Sequence, residues 1–183
     1  MGGSWTSAPP PLVGYALWLE PDGELRAQLA ALILALARQF GTEPFAPHVT
    51  LLGEIARGEA ETRALAAQAA ASSLALSVDL VGVGAHNHFY RCLSLEVAPS
   101  ADLQGAYVTA TSLASMAPAH PFAPHVSLIY GDLDPHAKRV AADLIQLRLP
   151  LRFRAAGITV VDLAGGPSEW QRLTTFPFRP SPA

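Results

Sequence analysis

One phrase occurs twice in this chain. Residues 44–53 read PFAPHVTLLG and residues 121–131 read PFAPHVSLIYG. The two histidines, His48 and His125, are 77 residues apart. That interval is too long for a solenoid period and suits an internal duplication. A core needs apolar residues at alternate places along a strand, but not a histidine followed two residues later by a hydroxyl. The repeat therefore constrains the fold and points to chemistry.

The segments around the two copies repeat in kind. LVGYALWL (12–19) reads as a strand between Pro11 and Pro21. PDGELRAQLAALILALARQFG then predicts a helix with Asp22 as N-cap. Leu25, Leu29, Leu32, Ile33, Leu36 and Phe40 share one face, and Gly41 is the stop. The first copy follows as a strand, then the alanine-rich GEAETRALAAQAAASS as a helix of weaker amphipathicity. LALSVDLVGVG and YRCLSLEV alternate in the strand manner across AHNHF. Ser100 opens a helix with Leu103, Tyr107, Ala110 and Leu113 inside, and the second copy is again a strand. Asp134 and Pro135 give a helix entry by N-cap and first position. The remainder, LRFRAAGITVVDLAGGPSEWQRLTTFPF, predicts two or three strands with a Gly-Gly-Pro turn. The expected class is α+β: two pseudo-symmetric lobes, each a mostly antiparallel sheet with helices outside, the duplicated strands facing one another across a cleft. A single bilobal domain spans 12–178, with tails at 1–11 and 179–183.

Composition narrows the function classes. The 183 residues suit one domain, and with 50% hydrophobic and 15% charged residues the chain can bury a core. A net charge of −3 argues against broad electrostatic capture of nucleic acid. Eleven of the twelve basic residues are arginine, the exception being Lys138; the arginine fork suits phosphate, but biased codon usage gives the same ratio. The one cysteine, Cys92, excludes an internal disulfide or a cysteine-cluster metal site and fits a reducing, cytoplasmic setting. MGGSWTSAPPP lacks the pattern of a secretory signal. It matches a loose myristoylation pattern, but a single acyl chain anchors poorly. LAALILALA is far short of the roughly 20 residues that span a bilayer, so a soluble protein without a membrane partner is expected.

On a strand, residues two apart share a face. His48 projects with Thr50, and His125 with Ser127, while Val49 and Val126 point into a core. Two lobes related by an approximate two-fold axis bring these pairs to one cleft from opposite sides. Such a cleft suits in-line hydrolysis of a phosphodiester. One imidazole takes a proton from water and the other gives one to the departing alcohol; both states are accessible near pH 6.5. The hydroxyls can donate to non-bridging oxygens. Two such groups suffice for a strained cyclic phosphate, so no metal or other cofactor is expected. His86 and His88 have the spacing of a metal pair but no third ligand nearby in sequence, and read as turn histidines. His120 and His136 read as solvent-facing.

With these residues in view, the chain resembles the 2H phosphoesterase superfamily, marked by paired H-x-(T/S) motifs. It is most similar to plant and yeast cyclic phosphodiesterases of 2′,3′-cyclic nucleotides and ADP-ribose 1″,2″-cyclic phosphate. YALWLEP, FGTEPFAPHVTLLG, HFYRCLSLEV, FAPHVSLIYGDL and the tryptophan of SEWQRL carry the likeness over most of residues 13–175. The resemblance implies His48 and His125 as catalytic pair and Thr50 and Ser127 as phosphate-binding hydroxyls. It also implies Tyr130, Trp18, Phe89 and Tyr90 as aromatics near the substrate. Strict alternation turns Tyr130 away from His125, so its role requires a bulge or a strand end at Ile129. Any disulfide control in the family is unavailable to a chain with one cysteine. The implied activity is metal-independent opening of the cyclic phosphate to a phosphomonoester, the 2′-phosphate, within RNA metabolism of the tRNA-splicing kind, by a monomer. Three alternatives stay open: a 2′,5′-phosphodiesterase or RNA-end-processing protein acting on short RNA ends, a non-catalytic binder of a phosphorylated metabolite, and a metal-binding protein using the two histidines.

Overall fold

The computed structural model describes residues 12–117, 122–145 and 148–179. Eight strands and four helices alternate in the order β1 (Tyr15–Leu19), α1 (Gly23–Phe40), β2 (Val49–Ile55), α2 (Glu59–Ser72), β3 (Leu76–Ala85), β4 (Leu93–Val97), α3 (Ala101–Ala114), β5 (His125–Ile129), α4 (Pro135–Asp143), β6 (Leu151–Ala155), β7 (Gly157–Asp162) and β8 (Gln171–Pro177). A short 3-10 turn, Phe89–Arg91, precedes β4. The tail readings over 1–11 and 180–183, and the reading of His120, lie outside the described residues. Arg179 is described, and its backbone N–H donates to the Ser73 carbonyl.

Local signals explain the helices. In α1 Leu29, Ile33 and Leu36 are buried, with Leu25, Leu32 and Phe40 packed partly against the same core. Each of the three fully buried side chains contributes about 1.5–3 kcal/mol by leaving water. Gly41 ends the helix in the left-handed conformation, φ 66°, which costs glycine no clash, and its N–H caps the Ala37 carbonyl. Asp22 stands at the N-cap without a side-chain bond. Asp134, by contrast, accepts from the backbone N–H groups of His136 and Ala137 and starts α4.

The strands form one sheet, ordered β6-β3-β4-β5-β2-β1-β7-β8, and every pairing in it is antiparallel. Each lobe contributes four strands, and the lobes join where β2 meets β5 at Val49 and Val126. The duplicated strands are therefore side by side. The lobes are not the two halves of the chain. The strand after β2, β3, crosses to pair with β4, and β7 takes the corresponding place beside β1. The chain's ends thus build one lobe and its middle builds the other. The helices interlock in the same way, α1 packing on β5 and α3 on β2. Val49, Leu51, Val126 and Leu128 point to this helical side and are buried.

Candidate active site

The opposite face of β2 and β5 carries the repeated polar residues. Antiparallel pairing at Val49 and Val126 sets His48 across from Ser127 and Thr50 across from His125. The two histidines are then diagonal neighbours, a relation that separates backbones by about 7–8 Å. His48, Thr50, His125, Ser127, Tyr130, Tyr90 and Trp18 all line one cleft of about 470 Å³. Phe89 does not line it. Its ring stacks edge-on against Tyr90, centroids 5.0 Å apart, so the aromatic reading holds there only as support for Tyr90.

Each copy also contains the device that orients its histidine. In Ala-Pro-His the residue before proline is held extended, and its carbonyl turns back to the ring. His48 Nδ1 lies 2.7 Å from the Ala46 oxygen, and His125 Nδ1 lies 2.9 Å from the Ala123 oxygen. A carbonyl only accepts, so both Nδ1 atoms are donors and each Nε2 is left for the cleft.

The surroundings of the two rings differ. His48 is buried, stacked flat on Trp18 with centroids 3.5 Å apart and planes 4° from parallel. Tyr130 Oη stands 3.5 Å from its Nε2. Because β5 stops at Ile129, Tyr130 escapes strand alternation and turns into the cleft. Burial is the main reason that the His48 pKa is pushed from 6.5 down to about 3; the Ala46 carbonyl opposes this and the charge of His125 adds a little. His125 is partly exposed. Its pKa is also lowered, first by burial; Ala123 and Glu96 oppose the shift, while Arg91 and His86 add to it.

The hydroxyls differ as well. Thr50 is exposed to the cleft, whereas Ser127 is buried and its Oγ donates to the Tyr90 carbonyl at 2.8 Å. The single hydroxyl proton of Ser127 is therefore engaged with backbone.

Sequence reasoning passed over Arg91, Glu54, His86, His88 and Trp170 as site residues, and all five line the cleft. Two were read as turn histidines, and both lie in the connection between β3 and β4, from which His86 pairs with Glu96 at 3.0 Å; His136 is exposed as expected. A signal existed. LWLE at 17–20 and LSLE at 93–96 repeat one another, and their strands run beside the two motif copies. Among the described residues no three His, Cys, Asp or Glu side chains gather as a metal site would require, and no helix is long and apolar enough to cross a membrane.

Known proteins resemble this chain in sequence and in fold. Residues 13–174 match the family model described as cyclic phosphodiesterase-like protein. A cyclic phosphodiesterase of Arabidopsis thaliana is 26% identical over 131 residues, 70% of this chain and 71% of that protein. Among solved structures, LigT of E. coli complexed with NADP+ superposes with a TM-score of 0.58 at 14% identity, over 92% of this chain and 99% of that one. LigT has also been crystallised with 3′-AMP, with a TM-score of 0.59 at 16% identity over 90% and 97% of the two chains. TT0787 of Thermus thermophilus gives 0.60 at 19% identity, over 91% and 98%. These structures share the fold.

Proposed function

The chain belongs to the cyclic phosphodiesterase-like family of phosphodiesterases, and from that premise we propose that it opens a small cyclic phosphodiester by two-histidine acid–base catalysis without a metal. The substrate is a 2′,3′-cyclic nucleotide or ADP-ribose 1″,2″-cyclic phosphate, and the product is a phosphomonoester, which for the nucleotide is the 2′-phosphate. The observation that carries this reading is the diagonal pair of imidazoles, each with Nδ1 tied to a carbonyl and Nε2 left for one cleft.

The roles follow from the surroundings. His48, buried and stacked, is neutral and takes the proton of the attacking water. His125, beside Glu96, carries the proton given to the leaving oxygen. A new P–O bond forms to water as the P–O3′ bond breaks, and the proton lost from water is balanced by the one gained by the alcohol. A base with a pKa near 3 is weak, but the bound phosphate anion favours the imidazolium and raises that value in the complex. Such positioned groups contribute about 10²- to 10⁴-fold each. The aromatic wall of Trp18, Tyr90 and Trp170, rings set edge-on and tilted to one another, suits a nucleobase or nicotinamide-like ring. The relative LigT has been crystallised with small nucleotides, which supports a nucleotide substrate over a polynucleotide. A cytoplasmic monomer acting in tRNA-splicing-type RNA metabolism is part of this proposal.

Incubation with 2′,3′-cyclic AMP in excess EDTA, followed by phosphorus NMR, tests it. The expected result is 2′-AMP with undiminished rate; no turnover, or turnover only after metal is restored, overturns it.

A further inference from the structure

In the second copy of the motif the hydroxyl proton is already engaged. Ser127 matches Thr50 in the repeat but spends its proton on the Tyr90 carbonyl. A cyclic phosphodiester brings a negative charge into this cleft, and an anion taken from water needs a partner on every side. Arg91 is the one lysine or arginine among the described residues that line the cleft, and it stands on the side of the second lobe.

Its setting is built. Glu96 lies across from His125 in the sheet. Its Oε2 holds Arg91 Nη2 at 2.6 Å, and its Oε1 accepts from Ser94 Oγ at 2.8 Å and meets His86 Nε2 at 3.0 Å. Burial raises the Glu96 carboxyl, but His86, Ser94 and Arg91 outweigh it and hold the group below the usual carboxylate range. Gly84 leaves the floor clear. A Cβ there would stand 2.1 Å from Glu96 Oε1 and 2.7 Å from His86 Nε2. One end of the guanidinium is thereby fixed, while Nε is buried without a hydrogen-bond partner. The equivalent strand of the first lobe puts Trp18 where this one has Ser94, and its matching carboxylate, Glu20, pairs with Arg172 and Arg26, neither of which lines the cleft.

We propose that Arg91 is the second lobe's phosphate-binding side chain, donating to a non-bridging oxygen in the part that Thr50 plays in the first lobe, and that Glu96 positions it. The inference rests on the phosphodiesterase reading above. The wild-type assay with 2′,3′-cyclic AMP tests that reading by itself, and the variants test this one only once the wild type turns over.

R91Q is expected to raise KM for 2′,3′-cyclic AMP and the inhibition constant of 2′-AMP by at least about tenfold. R91K, which keeps the charge without the fork, should recover part of the loss. E96Q should weaken 2′-AMP inhibition less than R91Q does, and the double variant should bind 2′-AMP no worse than R91Q alone, since Glu96 acts on the phosphate through Arg91. Circular dichroism and Tm accompany each variant; if R91Q does not fold, R91K and E96Q carry the decision. KM and 2′-AMP inhibition within twofold of wild type in a folded R91Q overturn the inference. With R91Q unfolded, wild-type values for R91K and E96Q do the same.

Discussion

The two copies of Pro-Phe-Ala-Pro-His-Val-(Thr or Ser)-Leu are near-identical in sequence and unlike in setting. In the first lobe the histidine is buried under Trp18 and the hydroxyl is open to the cleft. In the second the histidine is partly exposed among Arg91, Glu96 and His86, and the hydroxyl is turned into the protein. At matched places the first half has Trp18, stacked on its histidine, and the second has Ser94, bonded to Glu96. Desolvation disfavours the imidazolium in both halves, most strongly under Trp18, and only in the second does a neighbouring carboxylate, Glu96, oppose it. In the proposed mechanism this difference is what lets a symmetric repeat serve as one base and one acid: the motif supplies the ring and its tautomer, and the neighbours bias its charge.

The largest test of that comparison removes either ring. His48→Ala and His125→Ala should each lower kcat for 2′,3′-cyclic AMP by about a hundredfold or more. If one variant retains near-normal turnover, the two halves do not act as a pair.

A second test reads the pH dependence. In the proposed mechanism the productive state has His48 neutral and His125 protonated. His48 is lowered to about 3, so it is already neutral above that pH and sets the acid limb there. His125 is lowered from 6.5, so the free enzyme loses its acid as pH rises through a value below 6.5. kcat/KM should therefore fall about tenfold per pH unit on the alkaline side. Trp18→Ala, which opens His48 to water, should carry the acid limb upward toward the ordinary histidine value. A rate still rising at pH 9 contradicts the assignment.

The smallest effect concerns the hydroxyls. Thr50→Val should raise KM by up to about tenfold, the loss of one hydrogen bond to a charged group, with little change in Tm. Ser127→Ala should act mainly on stability, by about 1–3 kcal/mol, because it leaves the Tyr90 carbonyl unpaired. Thermal unfolding and initial-rate kinetics on the same two variants distinguish these outcomes. Equal kinetic losses would make the hydroxyls equivalent after all.

Much of the fold was legible from local pattern. The spacing of Leu29, Ile33 and Leu36, the Asp134-Pro135 entry and the alternation of the repeated strands each predict an element that is present. The condition placed on Tyr130, a strand end at Ile129, is met. The exchange of β3 and β7 between lobes was not legible, because strand pairing over long separations leaves no periodic trace. Phe89 was expected in the cleft and packs beside it, since one residue of a tight turn decides which ring faces inward. Arg91 and Glu96 were missed because they are neighbours only through the register of β3, β4 and β5.

By itself the sequence determined that an imidazole and a hydroxyl share a face twice over, and that Ala-Pro turns each ring's Nδ1 toward a carbonyl. Both are consequences of bonds and dihedrals within a few residues. Only the tertiary structure decided that the two copies pair in one register, and which ring is stripped of water and which stands beside a carboxylate. Desolvation and Coulomb energies depend on whatever groups come within a few ångströms, and in this chain those groups arrive from segments far away along the sequence.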